Sequence, residues 1–443
     1  MTNLRATQTG SGWDVDDTKA GPVSAELDGN GRPTGRMLDD RGQVVAGAGS
    51  MAERAAARYA SKFRPGISEF IGNGDSYGAN SGASVGTNGF MSKLMAYAAT
   101  KGLVASNFSL GSTTVARMTL NAKLSGASAY SSMWRLPVTN DMLFAMLIGL
   151  NDLRGAPYVI GGTVNAGCGP SGEALRTFRA RLMYMVAHHL IPETQKVRSL
   201  TLQPDGVTYA LNPDVQYTGT WTVGNVSAAV VTAASCTTGT GSATFTTGPG
   251  DLIVYSYFVR KSTDVIGQDI VIDGVSYGSL SANCDYEASY APTCRVFRVP
   301  YAESHTVTVT RNAAAVLPEH VACVDTTQDF GATMMYATPV NLLDAAGVGW
   351  SSGNTLNGIE ANSLTGTPAA DLRGSGGLAR MAATIHEVMA QMHAWGFNVF
   401  PVEVNAGFDP RTMLSADNLH PNDAGHNAIY TPFARAIDTL IGR

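Results

Sequence analysis

The sequence has 443 residues, more than one ordinary domain holds, and its hydrophobic fraction of 44% is enough for large cores. Its 30 Lys and Arg against 35 Asp and Glu give a net charge of −5 with no long basic run, which argues against a nucleic-acid partner. No apolar stretch approaches the roughly 20 residues of a membrane helix, and residues 1–30 lack the apolar core of a signal peptide. We therefore expect no membrane partner, and a protein that is cytoplasmic or leaves the cell without a cleaved signal.

The five cysteines give no sign of a metal or redox site. None forms a Cys-x-x-Cys pair, so we expect no metal ion and no other cofactor. Four of them lie between residues 236 and 323, where one or two disulfides would fit. The odd count and the missing signal peptide favour free thiols instead.

The N-terminal region, residues 1–65, is polar and rich in turn signals such as Asp28-Gly29-Asn30-Gly31. A short strand is predicted at 43–45 and a helix over 51–63, but the region has too few apolar residues for its own core. We expect an extended arm that becomes ordered against a partner or a neighbouring subunit.

From residue 66 the pattern becomes α/β. A strand at 67–71 is broken by Gly72 and Gly74, and Ser76 follows at the turn. The segment 141–148 is nearly all apolar, as expected for a parallel strand that is buried on both faces. The other elements predicted before residue 205 are a helix over 89–100, a strand at 103–110, a helix over 173–190 and a further strand of the sheet at 197–202.

Between residues 205 and 325 the helical period disappears, and short β segments alternate with Gly-rich turns. This pattern predicts a β-sandwich of the jelly-roll kind, inserted into the α/β domain. Afterwards a helix over 378–395 and a strand at 399–404 return to the α/β pattern, and a closing helix is predicted with a kink at Pro432. The predicted domains are therefore the arm (1–65), the α/β domain in two parts (66–204 and 326–443) and the insert (205–325).

Polar residues suited to ester hydrolysis follow the predicted strands of the α/β domain. Serine-based hydrolysis needs a nucleophile, a base, a carboxylate that orients the base, and donors for an oxyanion. Ser76 follows the first strand, Gly111 the second and Asn151 the third, while Asp417 and His420 share the loop after the last strand. Because carboxyl ends of parallel strands meet at one edge of a sheet, these groups are expected to lie together.

Four ordered blocks resemble those of the GDSL/SGNH hydrolases. The blocks are Gly74-Asp75-Ser76, Gly111, Gly149-Leu150-Asn151-Asp152 and Asp417-Asn418-Leu419-His420-Pro421. The resemblance covers about 66–205 and 325–443, and it implies a flavodoxin-like three-layer α/β/α fold with esterase, lipase or deacetylase activity. The first block, Gly-Asn-Gly-Asp-Ser-Tyr, and the large insert depart from the common form of this family. The insert leaves the identity of the substrate undetermined.

The resemblance also implies a role for each matching residue. Ser76 would be the nucleophile, His420 the general base and then acid, and Asp417 the residue that orients His420. The oxyanion hole would consist of the backbone N–H groups of Ser76 and Gly111 and the side-chain amide of Asn151.

Other interpretations of these motifs remain open from the sequence alone. Residues 74–78 also fit G-x-S-x-G, the nucleophile elbow of α/β-hydrolases, although there the acid and the histidine lie far apart in sequence. Asp423 and His426 repeat the Asp-x-x-His spacing, so His426 is a second candidate base. Asp152 is a candidate for catalysis or for turn capping.

The leading functional hypothesis is a serine esterase that removes acyl groups, O-acetyl above all, from a bacterial surface polysaccharide. The β-sandwich resembles a carbohydrate-binding module, and the arm before an SGNH-like domain resembles phage tail-spike and tail-fibre deacetylases. That context implies a homotrimer formed through the arm and a place in the virion tail. The alternatives are a non-catalytic receptor-binding or adhesion protein on the same scaffold, and a lipase or thioesterase for long acyl chains.

Overall fold

The computed structural model divides the chain into two compact units, residues 1–63 and 64–443. It describes residues 24–27, 33–38, 66–111, 113–118, 137–154, 158–160, 163–165, 172–206, 208–225, 232–236, 239–261, 267–281, 283–284, 291–312, 320–327, 330–340, 342, 375–417 and 419–441. The first unit contains an antiparallel hairpin of β1 (Ser24–Leu27) and β2 (Pro33–Leu38), which flank the predicted turn at 28–31. The predicted strand at 43–45 and helix at 51–63 lie outside the described residues.

The helices of the second unit are α1 (Phe90–Thr100), α2 (Val115–Met118), α3 (Leu150–Arg154), α4 (Gly172–Leu190), α5 (Ser375–Ala394) and α6 (Asp423–Ile441). Its strands are β3 (Glu69–Gly74), β4 (Val104–Asn107), β5 (Met142–Leu147), β6 (Tyr158–Ile160), β7 (Thr163–Asn165), β8 (Lys196–Arg198), β9 (Leu200–Leu202), β10 (Tyr209–Leu211), β11 (Gln216–Thr218), β12 (Trp221–Asn225), β13 (Thr232–Cys236), β14 (Ser242–Thr246), β15 (Gly250–Lys261), β16 (Gly267–Ile272), β17 (Val275–Ser281), β18 (Asn283–Cys284), β19 (Ala291–Ala302), β20 (Thr306–Asn312), β21 (His320–Val324), β22 (Thr333–Ala337) and β23 (Asn398–Pro401).

A five-stranded parallel sheet carries the candidate site. Its order is β4-β3-β5-β22-β23, so the strands stand 2-1-3-4-5 in chain order, one of the two common orders of doubly wound sheets. Every residue of β5 is buried, which confirms the strand predicted from its unbroken apolar run. All five carboxyl ends lie at one edge of the sheet, where such sheets hold their ligands.

The directions of the crossover connections imply helices on both faces of this sheet. The connection through α1 leads from β3 outward to β4, whereas the connection through α5 leads from β22 outward to β23 at the opposite edge. Right-handed crossovers in opposite directions place their helices on opposite faces. Helix α1 packs against α6, and α4 packs against α5. Helix α6 runs through Pro432, and the predicted kink at that residue stays a prediction.

The β-rich region forms two large sheets and two small two-stranded sheets, β9–β10 and β12–β13, around one apolar core, as predicted for a β-sandwich. The first large sheet has the antiparallel order β11-β14-β20-β16-β17, and the second places β19 on one side of β15, with β21 and then β8 on the other. Side chains from both sheets make the core, among them Phe245, Val307, Ile253, Tyr255 and Val321. Cys294 and Cys323 are buried free thiols, Cys236 is buried in the sandwich core, and Cys168 and the side chain of Cys284 lie outside the described residues.

The strand predicted at 197–202 belongs to the sandwich region and not to the parallel sheet, so that prediction is wrong. Residues 196–198 pair antiparallel with β21, and residues 200–202 pair with β10. Val197 packs against the sandwich core and Leu200 lies within it, whereas Lys196, Arg198 and Thr201 are polar. A parallel strand between helix layers is apolar on both faces, and this segment is not. The fourth strand of the parallel sheet is instead β22, which the sequence analysis did not include.

Helix α4 is shared between the two halves of the second unit. From Phe178 to Ile191 every residue except Arg179 and Met183 is buried, so the helix is covered on all sides. On one side the ring of His189 lies 5.5 Å from the ring of Phe144 in the parallel sheet. On another side the ring of His188 lies 6.1 Å from that of His320 in β21, and α4 packs against β19. The sandwich therefore does not stand apart from the α/β half.

Three buried histidines at this junction predict acid sensitivity. Burial lowers the pKa of His188 and His320 well below 6.5 and that of His189 to about 4. In the unfolded chain the same imidazoles take up protons near pH 6.5. The unfolded state therefore binds more protons between pH 6.5 and about 4, and stability that is fully present above pH 6.5 is lost as the pH falls through this range.

We expect His189 alone to account for a loss of about 3 kcal/mol in the free energy of unfolding between pH 7 and pH 4, at 1.36 kcal/mol per pKa unit. Urea denaturation at a series of pH values measures it. The His189→Gln variant keeps an N–H donor for the Met185 carbonyl, which the His189 ring contacts at 2.6 Å, and should show a flatter pH dependence. An equal pH dependence in both proteins would contradict the assignment.

Candidate active site

Ser76 lies in a tight turn directly after β3. The Asp75 carboxylate accepts the backbone N–H of Tyr77 at 3.0 Å, and the Ser76 carbonyl accepts the N–H of Ser81 at 2.9 Å. Gly74 allows β3 to approach β5 closely, because a Cβ there would lie 2.6 Å from the Leu147 carbonyl oxygen. These contacts present the Ser76 side chain at the carboxyl edge of the parallel sheet.

The structure brings Ser76, His420 and Asp417 together in one hydrogen-bonded chain. His420 Nε2 lies 3.0 Å from Ser76 Oγ, and His420 Nδ1 lies 2.5 Å from Asp417 Oδ2. A carboxylate only accepts, so Nδ1 carries the proton and donates it to Asp417. That tautomer leaves Nε2 as the acceptor for the Ser76 hydroxyl, which is the arrangement a general base needs.

Several hydrogen-bond donors keep the Asp417 side chain ionised. Burial alone would raise its pKa, but donors from His420, Ser415 and the backbone hold the pKa of Asp417 well below its ordinary value. Its Oδ1 accepts the Ser415 hydroxyl at 2.6 Å and the backbone N–H groups of Leu419 and His420 at 2.9 Å each. Asp417 therefore stays ionised over the whole range in which a histidine base works.

The two candidate oxyanion residues outside the serine turn follow the neighbouring strands. Gly111 comes after β4, and the preceding N–H of Leu110 donates to the Gly74 carbonyl at 3.1 Å. A Cβ at Gly111 would meet no atom within 4 Å, so this position faces open space. Asn151 is buried after β5, and its amide donates to the Thr113 carbonyl at 3.1 Å. Ser76, Gly111 and Asn151 thus follow three adjacent strands at the same edge.

Asp152 orders the segment that carries Gly111. Its buried carboxylate accepts the Val115 N–H at 3.1 and 3.0 Å, at the start of α2. Burial raises the pKa of Asp152 to about 7, against the lowering effect of the Val115 bond. Of the two roles considered for Asp152, the contacts fit capping.

His426 is a buried anchor of the serine loop, residues 75–89 between β3 and α1. Its Nδ1 accepts the Phe90 N–H at 3.2 Å, so its Nε2 carries the proton and donates to the Ser81 carbonyl at 3.0 Å. Both ring nitrogens therefore hold backbone groups, and burial lowers the pKa of His426. His420, and not His426, has a ring nitrogen at hydrogen-bond distance from Ser76 Oγ.

No motif in the sequence predicted the close packing between the serine loop and the histidine loop, residues 415–422. The buried Tyr77 donates its hydroxyl to the Leu419 carbonyl at 2.5 Å. Gly82, with φ of +89°, lies so close that a Cβ would be 2.7 Å from the His420 Cβ and 2.4 Å from the Pro421 carbonyl oxygen. The glycines of the serine loop were the available sequence signal for this close packing. A contact between residues more than 330 positions apart, however, leaves no local pattern in the sequence.

Within the described residues, no group of three or more His, Cys, Asp and Glu is arranged to hold a metal ion. Among those same residues, no helix is long and apolar enough to cross a membrane.

No family model and no curated protein sequence matches the chain. Similar solved structures include esterases. The porcine torovirus hemagglutinin-esterase is 9% identical with a TM-score of 0.37, over 84% of this chain and 88% of that protein. A two-domain esterase active on acetylated mannans is 11% identical with a TM-score of 0.28, over 61% of this chain and 94% of that one. A family GH115 4-O-methyl-alpha-glucuronidase with specificity for decorated arabinogalactans is 14% identical with a TM-score of 0.19, over 26% of this chain, which spans only 18% of that protein. At these values the similarity assigns neither a family nor a function to the chain.

Gly82→Ala tests the close approach of the two loops. Alanine at φ of +89° is strained and would also collide with the histidine loop, so we expect a loss of roughly 2–4 kcal/mol in the free energy of unfolding. Gly274→Ala is the matched control, because Gly274 has φ of +79° with nothing within 4 Å of a Cβ. The control should lose only about 1 kcal/mol. Equal losses in urea denaturation would show that the loops do not pack as described.

Proposed function

We propose that this chain is a serine esterase of the GDSL/SGNH type, with a flavodoxin-like α/β/α domain, and that it removes O-acetyl groups from a bacterial surface polysaccharide. The observation that carries the proposal is the hydrogen-bonded chain from Ser76 Oγ through the His420 ring to the ionised Asp417. A nucleophile, a base and an orienting acid are in contact at the edge of the sheet where ligands bind.

In the first half of the reaction, Ser76 Oγ attacks the ester carbonyl carbon while His420 Nε2 takes the hydroxyl proton. The negative charge moves to the carbonyl oxygen, and the donors proposed for it are the N–H groups of Ser76 and Gly111 and the Asn151 amide. Asp417 stabilises the imidazolium without taking its proton. The carbon–oxygen bond to the sugar then breaks, and His420 gives the proton to the leaving sugar hydroxyl.

In the second half, water attacks the acyl-serine ester and His420 takes a proton from the water. The bond between the acyl carbon and Ser76 Oγ breaks, the proton returns to Ser76, and acetate leaves. No cofactor enters either half.

The polar character of the surrounding loops supports a carbohydrate ester over a long acyl chain. Residues 78–89 are mostly Gly, Ser, Asn, Thr and Ala, with Val85 as the one larger apolar residue. A lipase needs a broad apolar surface for its acyl chain, whereas hydroxyls and amides suit the hydroxyls of a sugar. The sandwich joined to this domain through α4 offers a further surface for a polymer. The virion-tail location and the homotrimer remain predictions from the sequence.

Acetate release is the direct test of the proposed activity. We expect the wild-type protein to release acetate from at least one member of a panel of acetylated bacterial polysaccharides, and Ser76→Ala to release none while its circular dichroism spectrum is unchanged. Preference for esters of long fatty acids would instead identify a lipase. Specific polysaccharide binding without hydrolysis would identify a binding protein on a hydrolase scaffold.

The two histidines should differ sharply in their effect on turnover. We expect His420→Ala to lower kcat on p-nitrophenyl acetate by about 10⁴-fold, because the base is lost. His426→Ala should lower the melting temperature but reduce kcat only a few-fold, because both ring nitrogens hold backbone groups. Turnover measured at a temperature where both variants are folded decides the assignment. A dead His426→Ala beside an active His420→Ala would reverse it.

A further inference from the structure

Tyr77, the residue after Ser76, makes a second hydrogen bond between the serine loop and the histidine loop. Tyr77 is 1% exposed, and its hydroxyl donates to the Leu419 carbonyl at 2.5 Å. Ser76 and His420 are joined at 3.0 Å by their side chains. Adjacent residues of one loop therefore contact adjacent residues of the other, through two separate hydrogen bonds.

The Tyr77 bond acts on the peptide group that leads into His420. That group comprises the Leu419 carbonyl and the His420 N–H, which lie in one plane. Tyr77 holds its oxygen, and Asp417 Oδ1 accepts its N–H at 2.9 Å. With both ends of the plane held, the direction in which the His420 side chain leaves the backbone is restricted.

The Tyr77 ring is itself held in place. Its backbone N–H donates to Asp75 Oδ1 at 3.0 Å, and its ring lies 6.0 Å from the His420 ring at an angle of 60°. A buried ring with a fixed backbone has little freedom to follow a loop that moves away.

We propose that Tyr77 is a positioning residue, which keeps His420 Nε2 within hydrogen-bond distance of Ser76 Oγ by fixing the Leu419–His420 peptide group. It acts through the backbone and not on the substrate. The inference rests on the proposed esterase function for its kinetic consequence, but its structural consequence is independent of activity.

Tyr77→Phe removes only the hydroxyl and keeps the buried ring. We expect kcat for p-nitrophenyl acetate to fall about 10- to 100-fold with KM nearly unchanged, since small misplacements of a catalytic group have effects of this size. Amide hydrogen exchange in a peptide covering 415–422 should become faster, because the loop loses an anchor.

Tyr217→Phe is the matched control. The half-buried Tyr217 donates its hydroxyl to the Ser199 carbonyl at 2.8 Å in the sandwich region. We expect both variants to show a small drop in melting temperature, but Tyr217→Phe to leave kcat and the exchange of 415–422 unchanged.

The outcomes separate the inference from the proposed function. Unchanged exchange in Tyr77→Phe, faster exchange with unchanged kcat, or equal kcat losses in both variants would each overturn the inference. A wild-type protein without esterase activity would overturn the proposed function, and the exchange experiment would still decide whether Tyr77 holds the histidine loop.

Discussion

The hydrogen bond between Ser76 Oγ and His420 Nε2, across 344 positions of sequence, is the contact on which the account depends. It forms only if the turn after the first parallel strand meets the loop before the last helix. Three features hold these two segments together. They are the strand order of the parallel sheet, the close packing of Gly82 against His420, and the hydrogen bond from the buried His426 to the Ser81 carbonyl. The chemistry of the site is therefore a property of the whole fold and not of either loop.

The sandwich and the parallel sheet are built around a common helix. Side chains on alternate positions of β15 enter the sandwich core at Ile253 and Tyr255, while Val254 and Ser256, which point the other way, are equally buried. The Ser256 hydroxyl contacts His320, which packs against α4. Because α4 also packs toward β5 through His189, a disturbance of this junction reaches both halves of the unit.

The sequence predicted best those elements whose pattern is local. The unbroken apolar run of β5 and the helical spacing of α1 define those elements without tertiary help, although Gly72 and Gly74, which were expected to break the first strand, lie inside β3. Sequence patterns failed at β8, whose Lys-Val-Arg sequence fits any half-buried strand, and at β22, whose five residues are too few for a clear periodic pattern. The links made by Tyr77, Gly82 and His426 depend on contacts between distant segments, so no spacing in the sequence reveals them.

Covalent labelling of the unmodified protein is the most direct measurement of the central claim. A fluorophosphonate reacts with a serine only when a neighbouring base activates it. Peptide mapping by mass spectrometry should place one adduct on Ser76, and His420→Ala should suppress that adduct while leaving the fold intact. An adduct on a different serine, no adduct at all, or labelling of Ser76 at the same rate without His420 would contradict the account.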